Sequence, residues 1–311
     1  MSVYTYCTVP QIKEWLQPLS LGRLIQAEAI LNGVQNSNYH LQTTQGEWVL
    51  TLFEQTRPAT IAAHLNIMCA LARQGLPVPD PVHQQDGLFF RLLLGKPAAL
   101  LPWITGQHDQ NPSIVMLEHL GKMVARMHGV LAGLNFQVIH AKAFPWRLEA
   151  MADLLPHLNP DEYSLVSWAH HIDQNVQSVD AYLPHQMIHA DLFRDNVLWH
   201  HEQITALLDF YEAGYEARIF ELAVILNEWC CEPDGMLNSE RARAFLNAYQ
   251  IQLPLTKLEL QYLEMMRVVA ALRFFLSRRL ASLQLVHGNI LQKDPNEFIG
   301  ILRCLQNTLE I

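Results

Sequence analysis

The spacing of hydrophobic residues changes along the chain, from alternation in the first hundred residues to helical periodicity in the rest. Apolar residues alternate with polar ones around Tyr39 and Leu41, residues 48–53 have the pattern of a second strand, and Gly46 lies between the two runs. Two strand-like runs on either side of a glycine turn are typical of an antiparallel hairpin. Two further strands are predicted over residues 88–94 and 98–101. Two helices are predicted over residues 9–19 and 61–74. Together these elements predict a sheet-containing N-terminal lobe over residues 1–101.

From residue 102 onward, hydrophobic residues recur every three or four positions. In residues 114–131, Leu117, Leu120 and Val124 fall on one stripe, and Ser113 is placed to cap the helix. Similar patterns predict helices over residues 218–232, 239–250, 256–283 and 296–309, and residues 145–175 contain helix that prolines interrupt. The chain is therefore predicted to be an α+β protein with two lobes, the larger and mainly helical one over residues 102–311.

Composition limits the classes of function that the chain can perform. Half of its 311 residues are hydrophobic, 16% are charged and the net charge is −9, which suits a globular protein with a sizeable core. Such a charge does not provide the broad basic face that nucleic acid requires. An acidic surface does tolerate a small-molecule substrate that carries an amine.

Cysteine usage and hydropathy predict a cytoplasmic protein with no membrane segment. The five cysteines are odd in number and show no CxxC motif, and the chain opens without a basic, apolar leader. The adjacent Cys230 and Cys231 are expected to be buried thiols on a helix. The most apolar segments, around residues 92–104 and 268–276, fall short of a membrane span of about 20 residues. The sequence leaves the oligomeric state open.

The chemistry of the chain is concentrated in residues 189–209, which read HADLFRDNVLWHHEQITALLD. Asp191 and Asn196 stand in the order D-x-x-x-x-N after a histidine, which is the spacing of a kinase catalytic loop. In that loop the aspartate receives the proton of the acceptor hydroxyl, and the asparagine binds Mg²⁺. We expect His189 to brace the loop by a hydrogen bond and Asp195 to be a nearby carboxylate rather than a metal ligand.

A third oxygen ligand is expected at Asp209. Residues 197–199 and 204–208 have the pattern of two short strands, and the polar residues 200–203 between them have the pattern of a turn. In an antiparallel hairpin, the first residue of one strand lies beside the last residue of the other. Asn196 and Asp209 would therefore meet at the open end of this hairpin and share a hard cation.

A polar loop before the first hairpin is a candidate for phosphate binding. A kinase places backbone N–H groups over the phosphates at this position, and Asn36, Ser37 and Asn38 would add side-chain donors beside Gly33. One glycine is a weaker signal than GxGxxG. An ordinary turn explains the segment equally well.

A sheet-containing lobe followed by a helical lobe with the order D…N…D predicts a protein-kinase-like bilobal fold. A protein kinase follows its metal-binding aspartate with an activation loop that supports the peptide. Here Asp209 is followed by Phe210 and Tyr211, and a helix is predicted to begin at Arg218. Since this leaves no long platform for a peptide, the predicted acceptor is a small alcohol.

Several stretches, in order along the chain, carry a resemblance to a known family. Besides HADLFRDN and LLDFYEAG, they are GVQNSNYHLQTTQGEWVLTLFE, ARQGLPVPDPV, KPAALLPWITG, ARMHG, LAVILNEWC, ALRFFLSR and KDPNEF. The sequence resembles the aminoglycoside phosphotransferase and choline kinase-like superfamily, and within it the bacterial homoserine kinases. The resemblance runs almost from end to end.

The resemblance implies ATP-dependent phosphorylation of the side-chain hydroxyl of L-homoserine to O-phospho-L-homoserine, a step in threonine biosynthesis. Carried over by position, it implies that Asp191 is the catalytic base. It also implies that Asn196 and Asp209 bind Mg²⁺. ATP and Mg²⁺ are therefore the expected cofactors, and a small amino-alcohol is the expected partner.

The resemblance also implies positions for the two substrates. Residues 33–38 correspond to the phosphate loop, and Leu101 and Trp103 to the hinge that faces adenine. Tyr211 and Arg273 are candidates for contacts with the acceptor, since a guanidinium fork fits a carboxylate. A solvated or structural arginine on a long helix is nevertheless about twice as common as a carboxylate-binding one.

Several positions depart from the pattern of related kinases. Kinases usually carry a strand lysine that pairs with the phosphates and with a helix glutamate. Thr51 and His64 stand at these two positions, and Arg57 is a speculative substitute for the lysine. Glu221 replaces an aspartate that the family often has, so the support that this residue gives to the site is in doubt.

Two alternatives to phosphorylation of homoserine stay open. The acceptor could be another small alcohol or amino-alcohol, such as choline, ethanolamine, hydroxylysine or an aminoglycoside. The chain could also be a non-catalytic nucleotide-binding relative that has kept the fold. The missing lysine and glutamate allow this second alternative, whereas intact Asp191, Asn196 and Asp209 weigh against it.

Overall fold

The structure, a computed structural model, describes residues 4–31, 36–84, 87–283 and 294–309. It separates into two compact units. The first contains the N-terminal residues as far as Gly106 together with Ala206–Tyr211, and the second contains Gln107–Thr205 and the helical part of the chain from Glu212 onward. The first unit holds a five-stranded sheet and the second holds most of the helices, so the predicted α+β class is confirmed.

The first unit is built on one antiparallel sheet. Its elements are helices α1 (Val9–Leu16) and α2 (Pro58–Arg73) and strands β1 (Leu24–Ile30), β2 (Ser37–Thr43), β3 (Gly46–Leu52), β4 (Phe90–Leu93) and β5 (Lys96–Pro102). The strands lie in the order β1-β2-β3-β5-β4, and each neighbouring pair is antiparallel. The N-terminal sheet lobe is thus as predicted, with one strand more than the pattern indicated.

The hairpin of β2 and β3 shows why the alternating pattern was informative. Thr43 pairs with Gly46 at the turn, where Gly46 has a φ of 147° that favours glycine. The apolar side chains of Leu41 and Leu50 are fully buried in the core of this unit. By contrast β1 was not predicted, because Leu24 is its only buried residue and the strand lies at the sheet edge.

The second unit is mainly helical. Its helices are α3 (Ile114–Leu131), α4 (Phe144–Leu154), α5 (Pro160–Gln177), α6 (Arg218–Trp229), α7 (Ser239–Gln252), α8 (Lys257–Leu283) and α9 (Asn296–Leu309). The Ser113 hydroxyl accepts a hydrogen bond from the Met116 N–H at 3.2 Å, so the predicted cap of α3 is confirmed. No helix in the described part of the chain is long and apolar enough to cross a lipid bilayer.

Four short strands accompany these helices: β6 (His185–Ile188), β7 (Val197–His200), β8 (Gln203–Leu207) and β9 (Gly214–Ala217). They form two two-stranded sheets, β6 with β9 and β7 with β8. The β7–β8 hairpin is the one that the sequence predicted after Asn196. Its two-residue turn contains His201 in the left-handed region, with a φ of 53°.

Two buried ion pairs join helices in the second unit. Arg147 on α4 donates two hydrogen bonds of 2.8 Å to Asp173 on α5. Arg218 on α6 donates hydrogen bonds of 2.5 and 2.7 Å to Glu259 on α8. Because both oxygens of each carboxylate are engaged, these charges remain satisfied although they are buried.

Helix α3 approaches α7 most closely at Gly121. A Cβ atom added to Gly121 would stand 2.4 Å from the Phe245 carbonyl oxygen and 3.1 Å from the Tyr249 backbone nitrogen. These contacts involve backbone atoms, which cannot rotate out of the way. A glycine at this position therefore sets the distance between the two helices.

We expect Gly121→Ala to lower the free energy of unfolding by about 1–3 kcal/mol, because the added methyl group overpacks the α3–α7 contact. Gly129→Ala is the matched control on the same helix, since nothing lies within 4 Å of a Cβ added there. That variant should gain up to about 1 kcal/mol from its better helix propensity. Urea unfolding of both variants measures the difference, and equal stabilities would contradict this account of the contact.

His185, the first residue of β6, is ion-paired to Asp180. Its Nε2 lies 3.1 Å from Asp180 Oδ2, and its Nδ1 lies 2.9 Å from the Leu183 carbonyl oxygen, so both ring nitrogens can donate. The hydrogen bond to Asp180 raises the pKa of His185 to about 8, against the opposing effect of burial. The protonated imidazole is thus favoured in the folded protein.

Because the pKa of His185 is raised on folding, its stabilising effect is complete below pH 6.5 and is lost as the pH rises through about 8. Allowing for partial exposure, we expect the wild-type protein to lose about 1 kcal/mol more stability than His185→Asn between pH 6 and pH 9. Urea unfolding at both pH values measures this difference. His171→Asn, at an exposed position of α5, should behave like the wild type. An unchanged pH dependence in His185→Asn would contradict the assignment.

Candidate active site

In the loop between β6 and β7, Asp191 is flanked by buried residues. His189, Ala190, Leu192 and Phe193 are at most 3% exposed, whereas the Asp191 side chain is 25% exposed. The indole Nε1–H of Trp229 donates to the Leu192 carbonyl oxygen at 2.9 Å and ties the loop to α6. The Asp191 carboxylate is therefore partly exposed to solvent between buried neighbours.

Glu221 on α6 supports this loop from inside the unit. One oxygen of its fully buried carboxylate accepts hydrogen bonds from the backbone N–H groups of His189, at 2.5 Å, and Ala190, at 3.2 Å. Burial raises the pKa of Glu221, but hydrogen bonding and the nearby imidazoles of His128 and His189 outweigh it and hold the pKa below its usual value. Glu221 is thus an anion that holds the backbone of the loop.

Asn196 and Asp191 contact each other within the loop. The Asn196 amide nitrogen donates to the Asp191 carbonyl oxygen at 2.8 Å and lies 3.4 Å from its carboxylate Oδ2. The backbone N–H of Asp191 in turn lies 3.3 Å from His189 Nδ1. Because the amide nitrogen of Asn196 is engaged, its amide oxygen is the atom that can bind a cation.

A chain of charged side chains leads away from Asp191 in the second unit. Arg273 on α8 places Nη1 3.8 Å from Asp191 Oδ1 and donates from Nη2 to Glu212 at 2.9 Å. Lys142 donates to the other oxygen of Glu212 at 2.7 Å. Sequence reasoning selected Arg273 but missed Lys142 and Glu212. Glu212 was visible in the FYEAG stretch after Asp209, whereas no local signal marked Lys142.

In the first unit, two predicted phosphate-loop side chains are engaged by protein groups. The Ser37 hydroxyl accepts from the backbone N–H groups of Tyr4 and Thr5, at 2.9 and 3.0 Å, and donates to Glu54 at 2.5 Å. The side-chain Oδ1 of Asn38 accepts from the Thr51 hydroxyl at 2.8 Å. Asn36 is buried, and Gly33 lies outside the described residues.

The positions of the missing kinase ion pair are filled by buried side chains. Thr51 is 2% exposed and His64 is 3% exposed, and both belong to the first unit. An ion pair in this unit joins Lys96 to Glu54. Burial raises the pKa of Glu54. Hydrogen bonds from Lys96, Ser37 and Thr5, together with the charge of Lys96, outweigh burial and lower the pKa below its usual value. Arg57 precedes α2 and is exposed.

The two predicted hinge residues differ in exposure. Leu101 lies in β5 opposite Val49 and is 8% exposed. Trp103 follows β5 and is 40% exposed, and its ring centroid lies 4.2 Å from that of His40. The Trp103 N–H donates to the Glu47 carbonyl oxygen at 2.9 Å, which fixes the backbone at the end of the strand.

Asp209 and Tyr211 belong to the first unit, whereas Asp191, Asn196 and Arg273 belong to the second. Asp209 is exposed and has a φ of 60°, in the left-handed region. Tyr211 packs edge-to-face on Phe53 with ring centroids 5.0 Å apart, and its burial together with the charge of Asp209 raises its pKa.

The loop around Asp191 thus gathers most of the predicted residues of the second unit. His189, Asn196 and Arg273 lie within 4 Å of Asp191, and Glu221 holds the backbone beside it. Asp195 is exposed in the 3-10 turn Arg194–Asn196. A partly exposed carboxylate supported in this way can accept a proton from a hydroxyl group.

Comparison with known proteins identifies the family of the chain. The model of the phosphotransferase enzyme family matches residues 26–255. A homoserine kinase of Pseudomonas aeruginosa (strain LESB58) is 36% identical over 310 residues, which cover 99% of this chain and 97% of the relative. A homoserine kinase of Polaromonas naphthalenivorans is also 36% identical and is covered to 97%, as is this chain.

Among solved structures, a microcompartment-associated aminopropanol kinase matches with a TM-score of 0.72 at 16% identity, covering 97% of this chain and 98% of that one. An amicoumacin kinase in complex with AMP-PNP, Ca²⁺ and Ami matches with a TM-score of 0.71 at 14% identity, covering 97% and 94%. These likenesses confirm the kinase-like fold. Together with the family match and the near full-length relatives, they confirm that the chain is a small-molecule kinase and that it belongs to the phosphotransferase enzyme family.

Proposed function

We propose that the protein transfers the γ-phosphoryl group of ATP to the side-chain hydroxyl of L-homoserine and forms O-phospho-L-homoserine. The observation that carries this proposal is the Asp191–Asn196 pair, held on a buried loop in a chain that is 36% identical to homoserine kinases over almost its full length. The reaction would serve threonine biosynthesis. The five free thiols are consistent with a cytoplasmic location.

Nucleotide binding is proposed for the N-terminal lobe, which we place at residues 1–101. Solved relatives contain AMP-PNP or, in a spectinomycin phosphotransferase, ADP. The exposed indole of Trp103 and the apolar side chain of Leu101 are suited to a flat base. Since Ser37 and Asn38 are engaged by protein groups, we expect backbone N–H groups of residues 33–38, rather than these side chains, to bind phosphate.

We also propose Asn196 and Asp209 as ligands of a hard divalent cation. The amide nitrogen of Asn196 is committed to Asp191, which directs its oxygen to a cation, and Asp209 offers an exposed carboxylate. Both donors are oxygen atoms, the type that Mg²⁺ prefers. When bound, Mg²⁺ would neutralise part of the phosphate charge and orient the transferred group.

Asp191 would act on the acceptor. Its carboxylate accepts a hydrogen bond from the acceptor hydroxyl, orients the oxygen for in-line attack and takes the proton late in the transfer. Glu221 keeps the backbone of residues 189 and 190 fixed, so the Asp191 side chain does not have to be ordered at each turnover. The phosphoryl transition state is loose, and positioning therefore carries most of the catalysis.

The identity of the acceptor is tested by a panel of alcohols. With Mg-ATP and ADP release as the readout, we expect L-homoserine to give the highest kcat/KM. Choline, ethanolamine, hydroxylysine and an aminoglycoside serve as competitors in the panel. Preference for one of these would replace homoserine as the substrate, and calorimetric binding of Mg-ATP without any turnover would identify a non-catalytic relative.

The role of Asp191 is tested by Asp191→Asn, which keeps the shape of the side chain but removes the proton acceptor. We expect kcat to fall by roughly 10²- to 10⁴-fold, while the dissociation constant of Mg-ATP, measured by calorimetry, changes little. Asp153→Asn, at an exposed position of α4, is the control and should keep full activity. Near-normal turnover of Asp191→Asn would remove Asp191 from the role of base.

A further inference from the structure

Three charged side chains that are joined through Glu212 lie beside Asp191. Lys142 and Arg273 each donate to one oxygen of Glu212, at 2.7 and 2.9 Å, and Arg273 also reaches Asp191 at 3.8 Å. The four groups form an uninterrupted series of contacts that carries two positive and two negative charges. We refer to Lys142, Glu212 and Arg273 as the charged triad.

Exposure separates the members of the triad into two roles. The Arg273 side chain is 2% exposed, whereas Lys142 and Glu212 are 22% and 12% exposed. A molecule in solvent can therefore reach Lys142 and Glu212, as it can reach Asp191, but not the arginine beneath them. Arg273 is thus a positioning residue, because it holds the carboxylates of Glu212 and Asp191 at two nitrogens of one guanidinium group.

We propose that Lys142 and Glu212 bind the acceptor and select one that carries both a carboxylate and an ammonium group on a short chain. Glu212 accepts hydrogen bonds from the ammonium group, and Lys142 donates to the carboxylate. This proposal rests on the proposed phosphorylation of an alcohol at Asp191 and names the class of acceptor: an α-amino acid with a side-chain hydroxyl.

The size of such an acceptor fits the arrangement. In L-homoserine two methylene groups separate the hydroxyl from the α-carbon, so the ammonium nitrogen lies roughly 5 Å from the hydroxyl oxygen when the chain is extended. Asp191 and Glu212 lie 3.8 and 2.9 Å from two nitrogens of the same guanidinium group, so both carboxylates stand beside one side chain. One molecule can then contact Asp191 with its hydroxyl and Glu212 with its ammonium group.

The environment favours binding over a purely structural role. Burial and the charge of Arg273 lower the pKa of Lys142, against the opposing effects of Glu212 and Asp191. The backbone of Lys142 is fixed by Arg147, whose Nη1 lies 3.4 Å from the Lys142 carbonyl oxygen. The Nε–H of Arg273 is buried with no hydrogen-bond partner among the described residues. A buried polar atom without a partner, beside a lysine whose pKa is lowered, is a feature that occurs often at functional sites.

A structural ion-pair network is the competing explanation, and truncated acceptors separate the two. Relative to L-homoserine, 3-aminopropan-1-ol lacks only the carboxylate, and 4-hydroxybutanoate lacks only the ammonium group. If Lys142 binds the carboxylate, its removal affects only acceptors that carry one. A network that merely shapes the site would affect all three molecules alike.

The test uses Lys142→Met and Glu212→Gln in the full-length protein. KM is measured for each acceptor with saturating Mg-ATP, and a truncated acceptor that is not phosphorylated is assayed by its inhibition constant against L-homoserine. The loss of one charge-assisted hydrogen bond corresponds to a roughly 10- to 100-fold loss of affinity. We expect Lys142→Met to weaken the binding of L-homoserine and 4-hydroxybutanoate by this factor. The binding of 3-aminopropan-1-ol should weaken by less than about 3-fold. Glu212→Gln should weaken the binding of L-homoserine and 3-aminopropan-1-ol and leave the binding of 4-hydroxybutanoate unchanged.

Two further variants keep the test decisive. Lys142→Arg retains the cation and should restore the affinity for L-homoserine to within about 5-fold of the wild type. Lys122→Met, at an exposed position of α3, should change nothing. Equal losses for all three molecules in Lys142→Met would overturn the proposal. A wild-type protein that phosphorylates none of the hydroxy amino acids would instead refute the proposed function, so the two failures are distinguishable.

Discussion

The geometry of the catalytic loop depends on one buried carboxylate. Glu221 accepts the N–H groups of His189 and Ala190, and Ala190 has a φ of 65°, which a residue with a Cβ adopts at a cost of roughly 1–3 kcal/mol. Without Glu221 two buried N–H groups would also lack their acceptor. The contacts of this carboxylate therefore offset the strain that turns the chain out of β6 and lets Asp191 point toward solvent.

The second unit also contains charges that are paired in its interior. Arg147 with Asp173 and Arg218 with Glu259 join neighbouring helices through two hydrogen bonds each. These pairs differ from the contacts of Arg273, which divides its two terminal nitrogens between two carboxylates and leaves Nε–H without a partner among the described residues. A fully satisfied pair fixes helices, whereas a divided one leaves hydrogen-bonding capacity at the site.

The local sequence pattern predicted the elements whose formation depends on neighbouring residues. The helices and the β2–β3 and β7–β8 hairpins follow from periodicity, turns and caps, and they agree with the structure to within a few residues. Strand β9 was not predicted because its four residues pair with β6, which lies far away in sequence. Lys142 was not selected for the same reason, since its partner Glu212 lies 70 residues further along the chain. Ser37 had the right residue type for a phosphate loop, but its hydroxyl is taken by the N–H groups of Tyr4 and Thr5.

The absence of the usual strand lysine has a consequence for the phosphates. Thr51 at that position donates to Asn38, a neutral contact that adds no charge to the sheet. Between Lys13 and Lys96 the sequence has no lysine, and Lys96 itself is paired with Glu54, whose pKa is lowered by that pairing. The charge of Lys96 is therefore largely neutralised by Glu54. If ATP binds here as proposed, its phosphates depend on backbone N–H groups and on a cation at Asn196 and Asp209 more than in kinases that carry the lysine.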